Sequence, residues 1–139
     1  MPVSITRIQV QTQGFGDIHD ITPQAVQALR ASGLQKGNLC CAVPGSTASI
    51  TTLEFEPGLV QDLQQALERL APQNGTYEHN RRWGDGNGFS HVRAALLGPS
   101  QVIPFLKGQL LLGTWQQLVL LDFDNRSRFR DIIFSVSGE

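Results

Sequence analysis

Gln101-Val-Ile-Pro-Phe-Leu-Lys-Gly-Gln-Leu-Leu-Leu-Gly-Thr-Trp-Gln-Gln-Leu-Val-Leu-Leu-Asp-Phe-Asp-Asn-Arg-Ser-Arg-Phe-Arg-Asp-Ile-Ile-Phe-Ser-Val136 decides the fold. Short apolar runs alternate here with turn residues. Gln101 to Leu106, Gln109 to Leu112, Trp115 to Phe123 and Phe129 to Val136 read as strands, divided by Lys107-Gly108, the Gly113 break and the polar turn Asp124-Asn-Arg-Ser127. Connections this short join antiparallel neighbours, because a parallel crossover needs about a dozen residues or more. The C-terminal part therefore predicts an antiparallel sheet.

Further towards the N-terminus the pattern becomes mixed. Leu59, Leu63, Ala66, Leu67 and Leu70 recur at helical spacing, with Gln61, Asp62, Gln64, Gln65, Glu68 and Arg69 on the other face, which predicts an amphipathic helix ending near Ala71-Pro72. Thr22 as N-cap with Pro23 at the first helical position opens a shorter helix that Ser32-Gly33 stops. Ser90 is the expected cap of a third, ended by Gly98-Pro99. Ser4 to Thr12, Leu39 to Val43 and Thr47 to Phe55 read as strands, the first with a break in alternation that predicts a bulge. Gly14 to Asp20, with His19, reads as a loop, and the hydroxyls of Ser46, Thr47, Ser49, Thr51 and Thr52 as a solvent-facing strand. The elements make one α+β domain over residues 1–139, with no repeats or linkers.

Composition narrows the partners. A chain of 139 residues buries roughly 68% of its unfolded surface and needs no metal or disulfide to fold. A net charge of -1 gives no electrostatic footprint for nucleic acid or for an anionic membrane. The richest apolar region, Leu110 to Phe123, is interrupted by Gly113, Gln116 and Gln117, so no spanning helix is expected. Cys40 and Cys41 are neighbours that a strand would point to opposite faces, which fits reduced thiols in a cytoplasmic protein.

The chemistry is concentrated in Tyr77-Glu-His-Asn-Arg-Arg-Trp-Gly-Asp-Gly-Asn-Gly-Phe-Ser-His91, a polar loop studded with glycine. His79 and His91, with Asp85 between them and Glu54 on an earlier strand, are ingredients for general acid/base work or a divalent-metal site; hydrogen-bonded surface histidines are the plain alternative. Glycines running into a helix start at Asn87 to Ser90 suit an anion, with Arg81, Arg82 and Arg93 near in sequence. Solvated arginines on a glycine turn would look the same. Trp83 is either a stacking face for a ring or an anchor packed on the core, and Trp115 reads as core.

Gly45-Ser-Thr-Ala-Ser-Ile-Thr-Thr-Leu-Glu54, Tyr77-Glu-His79, Trp83-Gly-Asp-Gly-Asn-Gly-Phe-Ser-His91, Arg93-Ala-Ala-Leu-Leu-Gly-Pro-Ser100 and Gly113-Thr-Trp-Gln116 resemble, in order and spacing, the YjbQ family. The resemblance implies a jelly-roll-like β-sandwich with two or three helices, assembled as a homotrimer. It also implies a label carried by many members, secondary thiamine-phosphate synthase. That reaction joins a hydroxymethylpyrimidine diphosphate to a thiazole phosphate and releases pyrophosphate.

On this resemblance His79, His91, Asp85 and Glu54 are the expected catalytic group, gathered in one cleft. Arg81, Arg82, Arg93, Asn87 and Ser90 are expected to hold phosphate, Trp83 to stack on the pyrimidine, and His79, His91 and Asp85 to bind Mg²⁺ or Zn²⁺ weakly. The chain departs from the family where many relatives have histidine, at Gly45 and Phe89. That departure sustains a second expectation, a non-catalytic trimer that binds a metal, an anion or a metabolite. A purely structural module is the third.

Overall fold

The computed structural model describes all residues 1–139 and contains eight strands and four helices. In chain order they are β1 (Val3–Thr12), β2 (Asp17–Asp20), α1 (Thr22–Ser32), β3 (Lys36–Ala42), β4 (Ala48–Leu53), α2 (Pro57–Leu70), α3 (Glu78–Trp83), α4 (Gly88–Leu97), β5 (Ser100–Leu106), β6 (Gln109–Leu110), β7 (Gln117–Asp122) and β8 (Arg128–Gly138). All pairings are antiparallel, in a five-stranded sheet ordered β1-β8-β3-β5-β6 and a three-stranded sheet ordered β2-β7-β4. The α+β class stands as the sequence predicts, with one helix more than the family resemblance implies. The division of strands is five and three rather than the four and four of an even jelly roll.

The two sheets share one core. Leu39, Cys41, Ile132, Phe134 and Val136 of the larger sheet meet Ala48, Ile50, Leu118 and Leu120 of the smaller, together with Ala25, Ala28 and Leu29 of α1. A second core lies on the far side of β7, where Val119, Leu121 and Phe123 meet Leu67 of α2 and Ala94 of α4. β7 therefore has no wet face, and Leu118, Val119, Leu120 and Leu121 are all 0% exposed. Each such side chain contributes roughly 1.5–3 kcal/mol by leaving water. No helix is long and apolar enough to cross a membrane.

Several local expectations are corrected. β1 pairs with β8 residue for residue from Val3↔Ser137 to Thr12↔Arg128, so there is no bulge; Val3 and Ile5 are simply apolar residues on the outer face. Part of the expected loop is β2, in which His19 Nε2 lies 2.7 Å from Asp17 Oδ2. Thr22 does not cap α1. Its hydroxyl accepts from the Leu118 amide (2.9 Å), and Asp20 Oδ1 instead accepts from the Thr22 amide (2.9 Å). Glu56 caps α2 by accepting from the Gly58 and Leu59 amides (2.7 and 2.8 Å), which holds its carboxyl below the usual range.

Burial corrects the remaining side-chain expectations. Leu70 is exposed although it belongs to the helical stripe, because the last turn of α2 runs past the second core. Trp115 is exposed, in the turn before β7, while Thr47 and Ser49 are buried rather than solvent-facing. Cys40 and Cys41 point to opposite faces as expected. Burial, with a smaller effect from Cys40, pushes the Cys41 thiol up to about 12, which leaves it inert.

Candidate functional site

The glycine stretch folds as two helices meeting at a tight corner. α3 ends at Gly84, and α4 begins at Gly88 close against Tyr77. A Cβ on Gly88 would stand 2.6 Å from Tyr77 Cβ, so only glycine lets the second helix start there. Asn80 Oδ1 accepts from the Gly88 amide (2.9 Å) and fixes the corner. This closeness brings together two histidines that are distant in the sequence.

The imidazoles of His79 and His91 stack with ring centroids 4.5 Å apart and planes tilted by 39°. His79 Nδ1 lies 3.3 Å from Asp85 Oδ1 without forming a hydrogen bond, and the buried Nδ1 has no hydrogen-bond partner. A buried polar atom without a partner is uncommon, and a catalytic role is one of its physical explanations. His91 lines a cavity of about 230 Å³ with Gly45, Ser46, Ala48, Ala94 and Gly98.

Of the four residues expected in one cleft, three are together. Glu54 instead lines a different cavity of about 390 Å³, with Asp20, Glu56, Thr114 and Trp115, because the end of β4 carries it away from the corner. No three His, Cys, Asp or Glu side chains are grouped to hold a metal ion. The stacked rings and Asp85 accordingly do not fit a closed, four-ligand zinc site.

The residues expected to hold phosphate divide sharply. Arg93 is 5% exposed; its Nε donates to the Ala71 carbonyl (2.9 Å) and its Nη2 to Glu68 Oε2 (2.6 Å) while the guanidinium lies over the Phe89 ring. Asn87 and Ser90 are buried, and the Ser90 hydroxyl shares its proton between Asn87 Oδ1 and the Phe123 carbonyl. Ser90 is thus an internal tie inside α4 and not its cap.

At that helix start Asp85 Oδ1 accepts from the Asn87 amide (3.1 Å), and Asn80 already holds the Gly88 amide. An acidic side chain therefore fills the place expected for an anion. Arg81 pairs with Glu78 Oε1 (2.8 Å) on the surface, and Arg82 and Trp83 are exposed. Trp83 is not a core anchor. Phe89 is 1% exposed and turned into the protein, whereas Gly45 lies on the His91 cavity.

A polar cluster that the sequence reading missed lies where the two sheets meet. Arg130 grips Asp122 with two hydrogen bonds, Nε to Oδ2 (2.7 Å) and Nη2 to Oδ1 (2.8 Å), and Nη2 also donates to Thr47 Oγ1 (2.6 Å). Thr47 Oγ1 donates to Asp124 Oδ2 (2.9 Å), which also accepts from Arg128 Nε and Nη2, and Thr12 donates to Asp122 (2.6 Å). Burial would raise the Asp124 carboxyl, but hydrogen bonds from Arg128, Thr47 and Asn87 and the Arg128 charge outweigh it and hold the group below the usual carboxylate range. The signal was present as Asp-x-Asp at 122 and 124 and Arg-x-Arg at 128 and 130, flanking a turn that reads as merely polar. Two acids and two bases at this spacing can face one another across a corner.

Comparison with known proteins gives the chain's family. The sequence profile described as UPF0047 protein YjbQ-like matches residues 6–139. A UPF0047 protein of Methanothermobacter thermautotrophicus is 35% identical over 139 residues, covering 100% of this chain and 95% of the relative. Among solved structures, a YbjQ-like protein of unknown function from Sulfolobus solfataricus P2 superposes with a TM-score of 0.94 at 32% identity, covering 99% of each chain. A hypothetical protein from Aeropyrum pernix K1 does so with a TM-score of 0.90 at 30% identity, covering 97% of this chain and 98% of that one. On the matched profile and on these likenesses in sequence and fold, the chain belongs to the YjbQ (UPF0047) family.

Proposed function

We propose that the chain acts on a phosphorylated small molecule at the His79–His91–Asp85 corner, as a transferase that joins a hydroxymethylpyrimidine diphosphate to a thiazole phosphate. The thiazole nitrogen forms a bond to the exocyclic methylene carbon. The bond from that carbon to the diphosphate oxygen breaks, and pyrophosphate leaves with the electron pair. The observation that carries this reading is the pair of imidazoles 4.5 Å apart beside Asp85. An imidazole N–H donated to the departing oxygen stabilises the charge that develops there, with the Asp85 carboxylate 3.3 Å from His79 Nδ1. Trp83 and the exposed Arg81 and Arg82 lie on the same short helix, and in this reading Trp83 meets an aromatic ring and the arginines a phosphate. No step passes through a metal held by the protein, since three donors are not grouped. Mg²⁺ or Zn²⁺ enters only as a companion of the diphosphate.

The test is pyrophosphate release from the two phosphorylated precursors by wild type, His79→Ala and His91→Ala. Loss of roughly 10²-fold or more in either variant, with melting unchanged, supports acid/base work at the corner. Wild-type rates in both would refute it. The second reading, a trimer that binds a metal, an anion or a metabolite without turnover, draws on Glu54 lying in a separate cavity. It predicts ligand binding with no pyrophosphate from any variant.

Assembly as a homotrimer belongs to both readings. Its support is the bare outer face of the larger sheet. There Ile5, Ser135, Cys40 and Val102 form one row across four strands, with Val3, Leu106 and Phe129 also exposed. Light scattering should report three chains, and a stable monomer at micromolar concentration would sink the assembly.

A further inference from the structure

We propose that a cavity between α1 and the chain crossing from β6 to β7 binds a small carboxylic acid, with Arg30 taking the carboxylate and the apolar body lying against Val26, Leu29, Leu110 and Leu112. The site shares no residue with the His91 cavity and stands apart from the transferase reading. Sheet topology creates the space. β6 is two residues long and pairs with β5 at the edge of the larger sheet, whereas β7 is the central strand of the smaller one, so Leu111 to Gln116 cross between the sheets. The crossing segment forms no strand, and the cavity it lines with α1 has a volume of about 350 Å³. Sites for small molecules enclose roughly 300–1,000 Å³.

One stripe of α1 forms a wall. Thr22, Val26, Leu29 and Arg30 recur at i, i+4, i+7 and i+8, which places them side by side on the helix. Leu29 is buried in the first core, and Leu110 packs against that core from the opposite wall. Val26 and Leu112 are half-buried and belong to neither core, so apolar surface is left facing the space. Several polar lining groups are committed within the protein. Thr22 Oγ1 accepts from the Leu118 amide (2.9 Å), Gln116 Oε1 from the Gly113 amide (3.0 Å) and Gln117 Oε1 from the Phe55 amide (2.8 Å). Arg30 and Gln109 are not committed: neither side chain makes a hydrogen bond within the chain, and Arg30 has no ion-pair partner. Arg30 is also the one charged residue of the lining. Being exposed while Leu29 is buried, it sets a cation at the rim above an apolar floor. A single guanidinium matches a monoanion, and its planar fork fits a carboxylate; a phosphate dianion would bring a second charge that nothing in the lining answers.

The experiment is a titration with hexanoate, followed by nuclear magnetic resonance at the Gly108 and Gly113 amides and the Arg30 Nε–H group, at constant ionic strength. Acetate supplies the charge without the body, 1-hexanol the body without the charge, and inorganic phosphate the wrong anion. Two variants are compared with wild type, Arg30→Gln and Val26→Phe, each first shown to melt cooperatively. Saturable shifts with hexanoate at these groups are expected, with each of the three comparison compounds binding more weakly. Arg30→Gln should weaken hexanoate about fivefold, the share of one exposed charge pair, and leave 1-hexanol unchanged. Val26→Phe fills the cavity from α1 and should weaken hexanoate and 1-hexanol alike. Absence of saturable shifts with hexanoate, phosphate binding as tightly as hexanoate, or hexanoate affinity unchanged in either folded variant overturns the assignment.

Discussion

The corner cluster of Asp122, Asp124, Arg128 and Arg130 and the histidine corner of His79, His91 and Asp85 contain similar chemistry under opposite conditions. In the first, Asp122 and Asp124 are 0% exposed and the charges are answered by fork-like hydrogen bonds or hydroxyls, with Asp124 Oδ1 alone left without a partner. In the second, His79 and Asp85 retain 31% and 47% side-chain exposure, and a ring nitrogen is left without a partner. Burial makes an unpaired charge so costly that each carboxylate of the buried cluster is held by a guanidinium, and in this way the cluster becomes structure. The other cluster is partly exposed and is joined by ring stacking rather than by a network of hydrogen bonds.

The largest effect should come from breaking the buried fork. Asp122→Ala leaves the Arg130 guanidinium buried without its partner and should cost about 3–5 kcal/mol in denaturant unfolding. A loss under about 1 kcal/mol would mean that water, not protein, answers that charge. At the other corner, His91→Ala should leave stability within about 1 kcal/mol of wild type while turnover falls by two orders of magnitude or more, the expected share of a positioned acid or base. If the same variant melts much earlier, the histidine stack is scaffolding and the contrast between the corners collapses.

Between these extremes lies Gly88→Ala, whose new Cβ would press on Tyr77 Cβ and Cγ. Overpacking of this kind costs about 1–3 kcal/mol, and activity should fall with it because the two helices carry one histidine each. Retention of both would show that the corner can yield.

Acid sharpens the comparison further. The Asp124 carboxyl titrates lower in the folded than in the unfolded chain. Its contribution is therefore full above the unfolded value of about 3.9 and is lost as the pH falls through the lower folded value. Unfolding free energy measured against pH should show a shallower acid limb in Asp124→Asn than in wild type; identical limbs would remove Asp124 from the account. The smallest effect is expected at Arg81→Ala. Its pair with Glu78 is exposed on both sides, and such pairs contribute roughly 0.3–0.5 kcal/mol, lowered further by salt.

The strands and helices were legible wherever periodicity and turn residues agreed. The continuous apolar run Leu118 to Leu121 marked a strand, as did the alternation ahead of Thr12, and Leu59, Leu63 and Leu67 marked a helix. Errors arose where a side chain had two local uses. Thr22 could cap its own helix or bond to Leu118, and only the arrival of β7 beside it favoured the second. Ser90 could cap α4 or tie it to the Phe123 carbonyl, and burial at that position selected the tie.

By itself the sequence determined which residue types were on hand: two histidines and a carboxylate around a glycine turn, arginines nearby, and an antiparallel class set by short turns. Whether they converge depends on contacts between residues far apart in the chain, which no local pattern encodes. The tertiary structure brought His79 onto His91, sent Glu54 to another cavity, sealed Arg93, Asn87 and Ser90 inside, and put Arg130 behind Gly45. The physical reason is packing. A donor is free for a ligand only when the fold has neither buried it with a partner nor pointed it elsewhere, and that choice is made by the two cores closing on either side of β7.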